Sequence, residues 1–249
     1  MKSGSSEQLL PWEMLQNVQM RTQMDRLDAW QAIKGLSKEE FEEKIKPLRL
    51  PEHRQDLLFK FIQDEIQVSY SCKIDIEEYA LKHLIPEFYE SVPHDGHPYS
   101  SCELYEYDPP KNGQNIIKHG IGFGEVVTYS RKFGTLLVPI PDEKDGQRYV
   151  VFSDLNLKRE VDELEMPPPT IREMNYTISI TILRDGKFRF ISSRLLSSRK
   201  KKYKETIAQA LGEIIPDAQA NRSFVDHCVE ILERDLIQPV QANPVRRFN

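Results

Sequence analysis

The chain has 249 residues, 39% of them hydrophobic and 29% charged, and a net charge of −5, which fits a globular protein of one large domain or two small ones. No apolar run approaches the roughly 18–20 residues of a membrane-spanning helix, and the first eight residues lack the apolar segment of a secretory signal. Three widely spaced cysteines, Cys72, Cys102 and Cys228, argue against a disulfide framework, so we expect a cytoplasmic protein with no membrane partner.

Residues 1–93 are predicted to form an acidic helical region, because they hold 12 basic against 17 acidic residues and carry several helix signals. Ser37 and Glu40 have the spacing of a capping box. Between residues 57 and 66, five apolar residues fall at helical spacing and predict one buried stripe. Asp75 is predicted to cap a further helix, because an acid follows three residues later.

Residues 94–249 are predicted to form an antiparallel sheet followed by helices. Short segments rich in β-branched and aromatic residues predict strands at 102–107, 116–117, 125–129, 135–140 and 149–152. Residues 108–113 have the composition of a turn. The prolines Pro167–Pro169 predict a linker or long surface loop over 160–175, because proline disrupts helices and sheet interiors alike.

A β-hairpin is the clearest local prediction. Residues 176–183 and 187–191 alternate polar with apolar side chains, and Asp185 and Gly186 between them suit a two-residue primed turn. Helices follow at 200–215 and 223–237, and the tail 239–249 is predicted to lack regular structure. The order of helices, antiparallel strands and helices predicts an α+β fold.

Basic residues are concentrated between residues 184 and 204. Nine Lys or Arg and one acid give this stretch a net charge of +8, which leaves −13 for the rest of the chain. Lys187 and Arg189 alternate with two phenylalanines and therefore share one strand face. Four successive cations, Arg199 to Lys202, open the following helix, where they oppose the helix dipole and cost stability. That cost favours a functional role.

We predict that this stretch binds the phosphate backbone of DNA or RNA, because such a patch attracts polyanions and releases counterions from phosphates. Docking onto an acidic protein surface and a plain solvated face are the alternatives. Residues 1–93 offer a second surface for a protein partner. The candidate phosphate-binding residues are Lys187, Arg189, Arg194, Arg199, Lys200, Lys201, Lys202 and Lys204.

A histidine pair offers a weaker signal for a metal site. His94 and His97 lie three residues apart, and His83, Cys102 or His119 would have to join them to hold zinc. Prolines bracket the pair in a segment with little apolar content, so nothing supplies the packed surroundings that fix imidazole ligands. We therefore predict neither a metal nor any other cofactor.

Two enzymatic interpretations have weaker support in the sequence than binding does. A metal-dependent nuclease needs paired acids near a lysine, and the candidates are Asp142, Asp154 with Lys158, and Asp185 with Lys187. Turn chemistry already explains Asp185. The glycines of 120–127 have the wrong spacing for a dinucleotide fingerprint, and a strand is expected to follow them. No catalytic residue is assigned.

Overall fold

The computed structural model describes residues 25–92, 99–102, 104–141, 147–155, 176–196 and 200–238. Within these ranges the chain folds as helices and one mixed sheet, which confirms the α+β class. The described residues fall into two compact units, one within 1–63 and 80–95 and the other within 64–79 and 96–249. The predicted loop at 160–175, the tail 239–249 and the His94–His97 segment lie outside the described residues.

The first unit is helical. Its helices are α1 (25–34), α2 (Lys38–Ile45) with a 3₁₀ turn (Lys46–Leu48), α3 (Glu52–Ile62), the end of α4 (Tyr70–Leu84) and α5 (Pro86–Ser91). The capping box at α2 is confirmed, because the Ser37 amide donates to Glu40 Oε2 at 2.8 Å and the Glu40 amide donates to Ser37 Oγ at 3.2 Å. Four residues of the predicted stripe, Leu57, Leu58, Phe61 and Ile62, are buried on α3, whereas the fifth, Ile66, lies beyond the end of this helix and is only half-buried.

The second unit is built on a six-stranded sheet of order β1-β2-β6-β5-β4-β3. Its strands are β1 (Tyr99–Cys102), β2 (Tyr105–Tyr107), β3 (Ser130–Pro139), β4 (Arg148–Leu155), β5 (Tyr176–Arg184) and β6 (Lys187–Leu195). Neighbouring strands run antiparallel except β2 and β6, which pair in parallel. The sheet is therefore mixed, not wholly antiparallel as expected.

Helices cover both faces of this sheet. On one face, α8 (Lys200–Gly212), α9 (Ala218–Ile231) and a π-helical turn (Leu232–Ile237) bury a core that includes Phe152, Ile178 and Ile180. On the other face, α7 (Phe123–Tyr129) packs an aromatic cluster around Phe123 and Phe190, whose rings are 5.3 Å apart. The C-terminal helices were predicted; their bounds differ by a few residues.

Two short helices replace predicted strands and a turn. The turn at 108–113 and the strand at 116–117 are both part of α6 (Pro109–His119), and the strand at 125–129 lies in α7. Prolines at the first helical positions suit a helix start, and Gly120 with φ 71° ends α6 in the left-handed conformation. Gly122 then begins α7, and its amide donates to Glu125 Oε2 at 2.7 Å.

The predicted hairpin is confirmed, and its turn has positive φ at both central residues, 50° at Asp185 and 78° at Gly186. We expect Gly186→Val to lower the free energy of unfolding by about 2 kcal/mol, because a β-branched residue resists this conformation. A Cβ at this position would meet no atom within 4 Å, so the loss isolates backbone strain. Asp185→Asn should leave urea-induced unfolding unchanged. Equal losses in both variants would contradict a primed turn.

Candidate nucleic-acid interface

The basic residues of the hairpin lie at the turn end of β6. Lys187 is half-buried and pairs in register with Arg184, whose Nε lies 3.5 Å from Asp185 Oδ2. Arg189 sits opposite Glu106 in the parallel β2–β6 pair, and its Nη1 is 3.5 Å from Glu106 Oε1. The Arg184–Asp185 pair is well exposed and contributes little stability, whereas the Arg189 and Glu106 side chains are only 32% and 14% exposed.

Arg194 does not share this surface. It is only 5% exposed and lies in register with the buried Ile178 of β5. Its Nη2 donates to Glu213 Oε1 at 2.7 Å. A guanidinium buried in this way is not part of an exposed surface, so Arg194 is removed from the predicted backbone-binding interface.

The remaining basic residues open α8. Lys200 is its first helical residue, and Lys201 and Lys202 are exposed in the first turn, which contains no acidic residue. Lys204 Nζ lies 2.5 Å from Asp226 Oδ1 of α9, and both side chains are about half exposed. Arg199 lies outside the described residues. The exposed candidates of the helix are thus Lys201, Lys202 and, with a displaceable partner, Lys204.

Tyr203 anchors this turn of α8. Its side chain is only 4% exposed within the core of the second unit, and its hydroxyl donates to Glu233 of the π-helical turn. Burial, together with that carboxylate, raises the pKa of the Tyr203 hydroxyl, so the hydroxyl keeps its proton and remains a donor. The neighbouring lysines are consequently held on the solvent side of a fixed helix.

The other predicted candidates are dispersed or fall outside the described residues. His94, His97, Asp142 and Lys158 belong to the second group. Among the side chains that the structure does describe, no three His, Cys, Asp or Glu are placed to hold a metal ion. Asp154 is buried on the sheet, and Asp185 occupies the hairpin turn.

The structure also brings together a buried polar network that the sequence did not reveal. Asp75, expected to cap a helix, lies inside α4 and is 5% exposed. Asn112 of α6 donates from Nδ2 to Asp75 Oδ2 at 2.6 Å, and its Oδ1 accepts from the Phe123 amide at 2.7 Å. Burial raises the pKa of Asp75 to about 6, against the hydrogen bond from Asn112. The Asn112 carboxamide thus links α4 and α6 to the first residue of α7.

A second asparagine of α6, Asn115, hydrogen-bonds to the backbone of β6 beyond the pairing of β6 with β2. Strand β2 ends its pairing with β6 at Arg189, and beyond it Asn115 takes the place of a neighbouring strand. The Asn115 Nδ2 donates to the Ser193 carbonyl at 3.0 Å, while its Oδ1 accepts from the Ser193 amide at 2.9 Å. The sequence analysis placed Asn112 in a predicted turn and assigned Asn115 to no element, so this network was not predicted.

Comparison with known proteins matches this chain to no family model, no curated protein and no solved structure. None of the helices in the described part of the chain is long and apolar enough to span a membrane.

Proposed function

We propose that the protein binds the phosphate backbone of nucleic acid through the first turns of α8, supplemented by Lys187 and Arg189 at the hairpin. The observation that carries the proposal is the pair of exposed lysines, Lys201 and Lys202, in a first helical turn without an acid. Cations there oppose the helix dipole. A phosphate bound at this end would remove that cost, because helix N-termini attract anions.

The anchoring of α8 supports a fixed binding surface. Tyr203 is buried between Lys202 and Lys204 and bonded to Glu233, so the helix turn does not need to order when a ligand binds. Ordering of interface groups costs affinity, and a turn that is already ordered avoids that cost. The lysine side chains remain free to follow a backbone of variable sequence, which predicts binding without sequence preference.

The test is the salt dependence of binding. We expect affinity for mixed-sequence DNA or RNA, followed by fluorescence anisotropy, to fall by orders of magnitude between about 50 and 200 mM salt. Replacing Arg199, Lys200, Lys201 and Lys202 by Ser should weaken binding to all sequences alike. The same replacement should flatten the slope of log K against log salt by about 0.9 for each duplex phosphate contact that is lost.

A matched control variant removes four positive charges from the first unit instead. Lys38, Lys46, Lys60 and Lys82 are exposed residues of the first unit, and their replacement by Ser should leave the salt slope as in the parent protein. Equal losses in both quadruple variants would mean that net charge alone drives binding. An absence of binding by the parent at low salt would refute the proposal.

An acidic protein surface is the second candidate partner, because Arg189 and Lys204 already form ion pairs with carboxylates of this chain. Polyglutamate provides the comparison. If it binds as tightly as a nucleic acid of equal charge, and the replacement of residues 199–202 abolishes both interactions, the surface recognises acidic polymers in general. Preference for nucleic acid at equal charge favours the first proposal.

A further inference from the structure

Arg194 is a buried cation whose hydrogen-bonding capacity is largely unused. The residue is 5% exposed, and its Nε and Nη1 have no hydrogen-bond partner in the part of the chain that the structure describes. A guanidinium has five N–H donors, and three of them belong to these two nitrogens. Buried donors of this kind are almost always satisfied in folded proteins, and leaving them unsatisfied costs free energy.

Among the described residues, the hydrogen-bond partner of Arg194 is Glu213, whose side chain is mostly exposed to solvent. Glu213 follows the last residue of α8 and reaches Arg194 Nη2 with Oε1 at 2.7 Å, yet its side chain is 67% exposed. Because most of the Glu213 side chain is in solvent, a change of its rotamer can free Arg194 Nη2 without any change in the strand that carries the cation.

We propose that Arg194 is the receptor for a phosphate group, which takes the place of the Glu213 carboxylate. The carboxylate satisfies one nitrogen through one oxygen, whereas a phosphate monoester presents three terminal oxygens to the same planar donor group. The cation is already desolvated, so the ligand need not pay for stripping water from it. This site is separate from the exposed lysines of α8, and its test in inorganic phosphate does not depend on nucleic-acid binding.

The experiment measures the melting temperature of the full chain in sodium phosphate and in sodium chloride of equal ionic strength. Glu213→Gln removes the competing charge at nearly constant size. We expect phosphate to raise the melting temperature of this variant by about 3 °C or more over chloride, because a ligand that binds only the folded state stabilises it. The wild type should show a smaller gain.

Two further variants decide the cause of that gain. Arg194→Met in the Glu213→Gln background should abolish it, because the receptor is gone while the side-chain volume is kept. Asp56→Asn breaks the exposed ion pair with Lys60 in the first unit and changes the net charge by the same amount, and it should behave like the wild type. A similar phosphate gain in Asp56→Asn, or none in Glu213→Gln, would overturn the proposal.

The wild type provides a second readout if Glu213→Gln does not fold. The Nε–H resonance of Arg194 should shift on titration with inorganic phosphate and stay in place with chloride; an unmoved resonance at saturating phosphate refutes the site. Oligonucleotides with a 5′-phosphate or a 5′-hydroxyl then distinguish the source of the group. Tighter binding of the phosphorylated form that depends on Arg194 assigns the phosphate to a nucleic-acid end, and equal binding assigns it to a free phosphate compound.

Discussion

Gly113→Ala is expected to lower the free energy of unfolding by about 3 kcal/mol or more. A Cβ at Gly113 would lie 2.0 Å from the carbonyl oxygen of Asp75, 2.6 Å from its carbonyl carbon and 2.9 Å from Tyr79 Cβ. All three atoms belong to the backbone of α4 or are attached directly to it, so no change of rotamer can relieve the overlap. This part of α4 and α6 would have to separate and lose the bond between Asn112 and Asp75.

Gly124→Ala provides the matched control. This glycine also lies within a helix, α7, but a Cβ there would meet only the Tyr107 hydroxyl oxygen, at 3.9 Å. Alanine is the better helix former, so the control should be neutral or more stable by up to about 1 kcal/mol. Urea-induced unfolding measures both variants. Equal stabilities would contradict the close approach of α4 and α6.

Local signals predicted the parts of the fold that depend on neighbouring residues. The capping box needs only Ser37 and Glu40, and the hairpin turn needs only Asp185 and Gly186, so a few neighbouring residues were enough to predict each of them. The helices at 116–117 and 126–127 were not predicted, because a short apolar run fits a strand or a buried helix equally well. The contacts that α6 and α7 make with β6 favour the helix at both places.

The location of Arg194 depends on a β-bulge in β6 that no local sequence pattern predicted. Thr181 of β5 pairs with Phe190, but the preceding Ile180 pairs with Ser192, so β6 has one extra residue at Ile191. An extra residue reverses the alternation of side chains along a strand. Strict alternation would place Arg194 on the face of Phe188 and Phe190. The bulge moves it to the opposite face, where it meets the end of α8 and Glu213.

The cations of the basic stretch thus lie in two different environments. Lys201 and Lys202 are exposed to solvent, where the proposed long-range attraction of a polyanion requires them. Arg194 is buried in the second unit and paired with Glu213. Composition alone does not distinguish these cations. The register of β6 and the packing of α8 determine which of them are exposed and which is buried.

Asp75→Asn is expected to remove a pH dependence of folding. The folded-state pKa of Asp75 is raised to about 6 by burial, opposed by the Asn112 hydrogen bond and reinforced by the negative charges of Glu78 and Asp108. The ordinary value is 3.8, so between about pH 4 and pH 6 the folded protein binds more protons than the unfolded chain. The contribution of Asp75 to stability therefore falls as pH rises through this window, by about 3 kcal/mol in all.

Asparagine cannot ionise, and its Oδ1 can still accept from the Asn112 Nδ2. The free energy of unfolding of Asp75→Asn minus that of the wild type should therefore increase by about 2–3 kcal/mol between pH 4 and pH 7. Urea-induced unfolding at several pH values measures this difference, and other groups that titrate in both proteins cancel from it. A flat difference for Asp75→Asn would mean that water reaches this carboxyl and that the contact between α4 and α6 is open.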